Sequence, residues 1–303
     1  MLRSLFILLL PVSMLAGVQP KDADLVKKHV HFLSSIQPAR NHRHLKSLQK
    51  ALDYIRKEIQ PYAQSIRLQE YPVRNQKYAN LIANIGPASA ETIVIGAHYD
   101  VCGDQPGADD NASGVGGLLL LAKYLSENKA ALRYNYELVF YSLEEPPHFR
   151  TEFMGSAVHA RSLKEKGVRV KYMLSLETIG YYSDTKGSQS YPAMLGWFYP
   201  SEGNFIAAVG RMADGNLLSR FKTGFQGNSS LKIITLAAPS FVTGIDFSDH
   251  LNYWAMGWNA AMITDTAFMR NHNYHEPTDT PDTLDFEKIV QVIRGVCGAV
   301  IQP

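Results

Sequence analysis

The sequence predicts an α/β protein built as three layers, with helices on both faces of a central mixed, largely parallel sheet. Three observations lead there. From residue 65 onward, short β-rich apolar runs come to alternate with longer stretches whose apolar residues recur at helical spacing. The run Thr92-Ile93-Val94-Ile95-Gly96-Ala97 is apolar at successive positions, as a strand buried on both faces must be. No Pro/Gly/Ser-rich linker, low-complexity tract or internal repeat divides the 303 residues, so a single domain over residues 18–303 is expected.

The elements follow in order. Residues 1–17 carry Arg3, an apolar run over residues 5–10, and a continuation past Pro11 to Leu15-Ala16-Gly17. This pattern predicts a secretory signal peptide, and with it a secreted or periplasmic protein. Pro11 and Ser13 break the run before it reaches the roughly 20 residues a bilayer span needs, so no stable membrane anchor is expected. Val18 stands where a lipoprotein box would need cysteine. Residues 22–62 place Val26, Val30 and Leu33, then Leu48, Leu52, Ile55 and Ile59, at helical spacing and predict two amphipathic helices. His29, His31, His42 and His44 lie there among Lys27, Lys28, Arg40 and Arg43, and read as surface residues in preference to ligands. Strands are predicted over residues 65–71, 78–85, 92–97, 136–143, 170–176, 231–236 and 260–264. Helices are predicted over residues 112–128, 153–164 and 284–301, with helix-like stretches at 204–212 and 217–221.

Composition narrows the function. With 46% hydrophobic and 19% charged residues the chain can bury an ordinary core, and its 30 basic and 28 acidic residues are dispersed. No basic arm or stripe supports nucleic-acid binding. Cys102 and Cys297 are the only cysteines, so there is no disulfide framework. One bridge and two separate thiols are both compatible with their positions.

The chemistry-bearing residues fall at element ends. The run at 92–97 leads into His98-Tyr99-Asp100, where alternation puts His98 and Asp100 on one side, so that Asp100 can orient a metal-binding imidazole. A structural histidine would read the same way. Asp109-Asp110-Asn111 opens the helix at 112–128 and is open to two readings, a helix cap or a metal-binding turn. Glu144-Glu145 end another apolar run, where two adjacent carboxylates call for a cation or a shared proton unless the loop is solvated. Glu177 interrupts a further strand, and His275 lies in a turn after the last one. Two histidines and three carboxylates suit two zinc ions. One bridging carboxylate, with one histidine and one terminal carboxylate per ion, leaves open positions for water and one glutamate free as a base.

At this point the sequence resembles a known family, the M28 zinc aminopeptidases that include bacterial leucine aminopeptidases, with glutamate carboxypeptidase and glutaminyl cyclase as remoter relatives. The likeness runs from about Leu25 to the C-terminus. Its marks are His98-Tyr99-Asp100, Gly107-Ala108-Asp109-Asp110-Asn111-Ala112-Ser113-Gly114, Glu144-Glu145 followed by Gly155-Ser156, Ser248-Asp249-His250 and Tyr274-His275. The resemblance implies the zinc-exopeptidase, phosphorylase/hydrolase-like fold and two zinc ions per chain. It implies His98 and Glu177 as ligands of one zinc, Glu145 and His275 as ligands of the other, and Asp110 as the bridge, with a cis peptide after it. Glu144 becomes the general base and Asp100 the partner of His98. Two departures stand out: Glu177 occupies a position where well-known members carry aspartate, and Pro146-Pro147-His148 replaces a glycine-rich turn. Asp249 and His250 match the family motif without a defined role.

The expected activity is a secreted metal-dependent exopeptidase, most simply an aminopeptidase acting on peptides with apolar N-terminal residues. A cyclotransferase or a carboxypeptidase on the same fold is the alternative, and a binding module without catalysis a remoter one. The absence of any Gly-x-Ser-x-Gly elbow weighs against a serine hydrolase.

Overall fold

A computed structural model describes residues 19–88, 91–192 and 196–302. The predicted signal peptide at residues 1–17 lies outside the described residues.

Eight strands among them form one sheet: β1 (Ser65–Val73), β2 (Gln76–Ile85), β3 (Thr92–His98), β4 (Asn135–Tyr141), β5 (Val170–Glu177), β6 (Ile206–Arg211), β7 (Ile233–Ala238) and β8 (Ala260–Thr264). Their order is β1-β2-β4-β3-β5-β8-β6-β7. The pairs β4–β3, β3–β5, β5–β8 and β6–β7 are parallel, whereas β1–β2, β2–β4 and β6–β8 are antiparallel. The sheet is therefore mixed, with a central block of four parallel strands.

Among the described residues seven α-helices accompany it: α1 (Pro20–Ser34), α2 (Leu45–Ile59), α3 (Gly114–Glu127), α4 (Gly155–Glu165), α5 (Gly215–Gln226), α6 (His250–Ala255) and α7 (Phe286–Ile301). Strand alternation decides which layer each residue serves. Ile93, Ile95, Ile206 and Ala208 join the core under α1, α3, α5 and α7, while Val94, Ala207 and Val209 join the opposite core under α4 and α6. Both faces of the sheet are thus covered, as its uninterrupted apolar strands require.

Residues 204–212 correct the sequence reading. They form β6 and a short 3-10 turn instead of a helix. Their apolar run is too short for periodicity to separate helix from strand, and packing between β8 and β7 decides the outcome. His29 is a second correction. It is 2% exposed, on the inner side of α1, with Nδ1 2.8 Å from the Tyr54 hydroxyl. Both cysteines are free thiols, Cys102 half-buried and Cys297 buried within α7.

Candidate metal centre and active site

Strands β4, β3, β5 and β8 lie side by side and parallel, so their carboxyl ends share one edge, the usual ligand site of such sheets. β3 ends on His98 and continues to Asp100, β4 leads to Glu144 and Glu145, β5 ends on Glu177, and the chain beyond β8 supplies His275. Asp110 comes from the turn between β3 and α3. That turn begins at Gly107, whose φ of +60° suits glycine, and the Asp110–Asn111 peptide is cis.

Buried polar groups fix each segment. Asp279 accepts the Asp109 N–H at Oδ1 (2.8 Å) and the Asp110 N–H at Oδ2 (3.1 Å). Asp109 itself accepts from the Gly180 N–H (2.9 Å) and the Asn271 side-chain amide (2.8 Å), so of the two neighbouring acids it is the one tied into the scaffold. Asn111 donates to Leu176 O at 2.8 Å and accepts the Gly114 and Thr178 N–H groups at 3.1 Å each. Gly114 has to be glycine: a Cβ there would come within 2.4 Å of Asn111 Oδ1 and 2.6 Å of Leu176 O. Arg40, wholly buried, donates to Tyr99 O (2.9 Å) and Gly107 O (2.6 Å), joining the two ends of the loop between His98 and Asp110.

Asp100 does two things at once. Its carboxylate accepts the Glu144 and Glu145 N–H groups, each at 3.2 Å, which fixes the paired glutamates. Its Oδ1 also faces His98 Nδ1 at 3.5 Å, the outer limit of a hydrogen bond. Leu143 (φ +61°), Thr178 (φ +45°) and His275 (φ +60°) adopt left-handed backbone conformations next to Glu144, next to Glu177 and at a ligand-type residue itself. Each such L-residue costs about 1–2 kcal/mol, and outliers of this kind cluster at functional sites.

The resulting constellation has a simple symmetry. Asp110 Oδ1 lies 3.2 Å from His98 Nε2, and Asp110 Oδ2 lies 3.0 Å from His275 Nε2. Each imidazole has a second carboxylate, Glu177 at 3.4 Å from His98 and Glu145 at 3.3 Å from His275. Glu144 Oε2 stands 3.9 Å from His98 Nε2. The extra methylene of Glu177, compared with aspartate, is accommodated because its other oxygen accepts from the Ser248 hydroxyl at 2.7 Å.

The electrostatics show an unbalanced charge. Burial pushes Glu145 up to about 8, helped by Asp110, with His275 acting in the opposite direction. Burial likewise raises Glu144 well above the usual carboxylate range, and raises Glu177. Burial depresses His98 and His275, yet the surrounding carboxylates outweigh it and raise both. Burial also opposes ionisation of Asp110, but bonds from His275 and His98 hold it low. Asp110, Glu144, Glu145 and Glu177 thus crowd around two imidazoles, a surplus of negative charge that suits cations.

The donor atoms fit zinc. Nitrogen and oxygen ligands at about 2.0–2.2 Å from a tetrahedral zinc lie about 3.3–3.6 Å from one another, close to the 3.0–3.4 Å separations here. Among the described residues, Asp110 Oδ1, Glu145 Oε1 and His275 Nε2 have no hydrogen-bond partner, although buried polar atoms ordinarily have one.

All seven residues singled out from the sequence, His98, Asp100, Asp110, Glu144, Glu145, Glu177 and His275, are therefore brought together. Among the described residues, none of His29, His31, His42 and His44 joins a group able to hold a metal. Ser248, which stands beside Asp249 in the sequence, holds Glu177, and Asp279 holds the Asp110 turn. Arg40 carried no local signal at all. His250 is structural: its Nε2 is 2.8 Å from Ile245 O, its ring stands edge-on to Trp254, and burial lowers its pKa to about 4. Asp249 is fully buried, and burial pushes it up to about 7.

Comparison with known proteins gives these parts a context. Residues 80–300 match the family described as peptidase family M28. An Escherichia coli (strain K12) protein, the uncharacterized protein YfbL, is 43% identical over 280 residues, covering 89% of this chain and 85% of its own. Leucine aminopeptidase 1 of Coccidioides posadasii (strain C735) is 25% identical over 71% of this chain, which spans 53% of that protein's length. The crystal structure of Tannerella forsythia glutaminyl cyclase superposes with a TM-score of 0.69 at 17% identity, over 95% of this chain and 100% of that one. At that identity the likeness speaks for the fold alone.

Proposed function

The chain belongs to peptidase family M28 and is a zinc metallopeptidase, and from that premise we propose an exported two-zinc aminopeptidase that removes apolar N-terminal residues. One observation carries the two-ion part: the two oxygens of Asp110 face different imidazoles, each with a carboxylate of its own. In this reading His98 and Glu177 hold one ion, His275 and Glu145 the other, and Asp110 both. Zinc bound there supplies a water acidified to a pKa near ~7 and a Lewis acid for the peptide carbonyl.

The protein's own groups do the rest. Glu144 takes the proton of the attacking water and returns it to the leaving amine. Its neighbour Glu145 faces His275 instead, so the pair divides into base and ligand. Asp100 holds both in place through their N–H groups. Recognition of a free amino terminus is supported by the surplus of carboxylates around the two imidazoles. The arginines that a carboxypeptidase would turn toward a substrate carboxylate are engaged elsewhere: Arg150 with Asp246, Arg161 with Glu152, and Arg270 with Gln189 and Phe205 O. An apolar cavity lined by Phe205, Val209, Leu236, Ile245 and Met262 reaches Glu177 and Tyr274, and supports the preference for apolar side chains.

The glutaminyl cyclase likeness keeps a cyclotransferase as the second reading; the intact Asp110-to-Gly114 turn favours the peptidase. The deciding experiment combines metal analysis of the exported protein with one peptide in three forms: free at both ends, N-acetylated and C-amidated. Two zincs, with cleavage stopped by acetylation and unaffected by amidation, is the expected result. Cleavage stopped by amidation instead would replace the aminopeptidase with a carboxypeptidase, and one zinc with cyclisation of N-terminal glutamine would favour the cyclase. Export predicts a mature chain lacking roughly the first 17 residues, which intact mass decides.

A further inference from the structure

The Glu145–His275 end of the centre has a neighbour that the His98–Glu177 end lacks. Cys102 Sγ, a Glu145 carboxylate oxygen and a His275 ring nitrogen all lie within 4.8 Å of one another. Glu145 is 4% exposed and its Oε1 has no hydrogen-bond partner, nor has His275 Nε2. Among the described residues, the ligand-type groups around His98 are carboxylates only, from Asp110, Glu177, Glu144 and Glu145.

The loop carrying the thiol is built in. The Val101 N–H donates to Arg40 O at 3.2 Å, the Asn41 side-chain amide donates to Gly103 O and, at 3.0 Å, to Asp104 Oδ1. Gly103, with φ +58°, turns the chain directly after the cysteine. Gln105 then donates through Nε2 to His275 O at 2.5 Å, tying the thiol-bearing loop to the histidine-bearing one. A disulfide does not account for this placement, because the other cysteine, Cys297, is free and buried in α7.

We propose that Cys102 is a further metal donor, so that the two ions are held unequally: by His98, Glu177 and Asp110 at one end, and by His275, Glu145, Asp110 and the Cys102 thiolate at the other. This rests on the two-zinc reading and extends it. A thiolate is a soft, anionic donor that binds zinc at about 2.3 Å, and its charge also holds the ion more firmly. The end with four side-chain donors therefore retains its ion longer than the end with three.

The test uses the full mature chain, stripped of metal and reloaded with cobalt(II). Two cobalt ions should bind, with a near-ultraviolet thiolate-to-cobalt charge-transfer band that Cys102→Ser abolishes while still binding cobalt. In the wild-type chain, zinc should slow alkylation of Cys102 by at least about tenfold, since the free thiolate is the reacting species; buried Cys297 contributes no background. This second readout needs no variant to fold. Cobalt bound without the band, and alkylation unaffected by zinc, would overturn the proposal and leave the metal site standing. A chain that binds no metal would instead overturn the two-zinc reading, and this proposal with it.

Discussion

Asp279→Asn is the sharpest test of how the bridging carboxylate is placed. Asp279 is 1% exposed and uses one oxygen for each of two successive N–H groups, those of Asp109 and Asp110. Burial raises it to about 6, opposed by those two bonds, so at pH 7.5 it is ionised. Asparagine keeps one acceptor and turns a donor toward the other N–H. The loss is one charge-assisted bond, about 1.5–3 kcal/mol, together with a buried N–H left unpaired, about 1–3 kcal/mol. Because Asp110 serves both ends of the centre, the loss should appear at both. Outer groups that orient metal ligands typically contribute 10–100-fold in affinity, so competition with a chromophoric chelator should show zinc affinity down by about that factor for both ions together. Thermal melts of the metal-free proteins separate this from general destabilisation. Affinity within about twofold of wild type, alongside a lowered Tm, would refute the reasoning and make Asp279 a support of the fold only.

Other expectations follow from the same contacts. Glu144→Gln should lose turnover by about 100-fold or more with zinc content preserved, whereas Glu145→Gln should lose zinc; activity assays with elemental analysis distinguish them. Gly114→Ala puts a Cβ 2.6 Å from Leu176 O and should cost about 1–3 kcal/mol, read as a Tm lowered by several degrees. His29, whose pKa burial lowers to about 4 from 6.5, resists protonation when folded but accepts it when unfolded. Its contribution is present above pH 6.5 and is lost as pH falls toward 4, by up to about 3 kcal/mol at 1.36 kcal/mol per unit. His29→Gln should therefore flatten the loss of stability between pH 6.5 and 4 in urea titrations, and an unchanged pH profile would rule this out.

The parts of the molecule that were legible in the sequence are those where one local pattern has one physical outcome. Residues 93–97 are apolar on both faces because both faces are covered, and α3 opens on Gly114, Gly116 and Gly117 because its first turn meets β5 at Leu176 O, α1 at Val26 and Val30, and α7 at Ile293. The ligand residues were legible for a related reason: charged groups at the ends of apolar strands demand compensation, and the sequence shows them without showing what compensates. Residues 204–212 were not legible, since Ile206-Ala207-Ala208-Val209 satisfies helix and strand equally until β7 and β8 are in place. His29 misled because its neighbours Lys27 and Lys28 are exposed while a single helical step turns the imidazole inward onto Tyr54.

What the sequence could not convey at all was support arriving from a distance. Arg40 reaches the loop before Asp110 from 59 to 67 residues away, and Asp279 reaches the Asp110 turn across 169. Distant groups also decide between chemically identical neighbours. Asp109 and Asp110 are adjacent carboxylates in one turn, as Glu144 and Glu145 are after β4, and nothing in residue type separates the members of either pair. Asp109 is spent on Gly180 and Asn271, so Asp110 alone is left to face both imidazoles. Asp100 grips the glutamates by consecutive N–H groups, and from there Glu145 reaches His275 while Glu144 lies toward His98. The division of labour is thus imposed from a distance, by Gly180 and Asn271 on the Asp109 side chain and by Asp100 on the backbone of the glutamates. For that reason a change at Asp279 or Asp100, neither of them placed among the zinc ligands, is expected to disturb the metal centre as a unit.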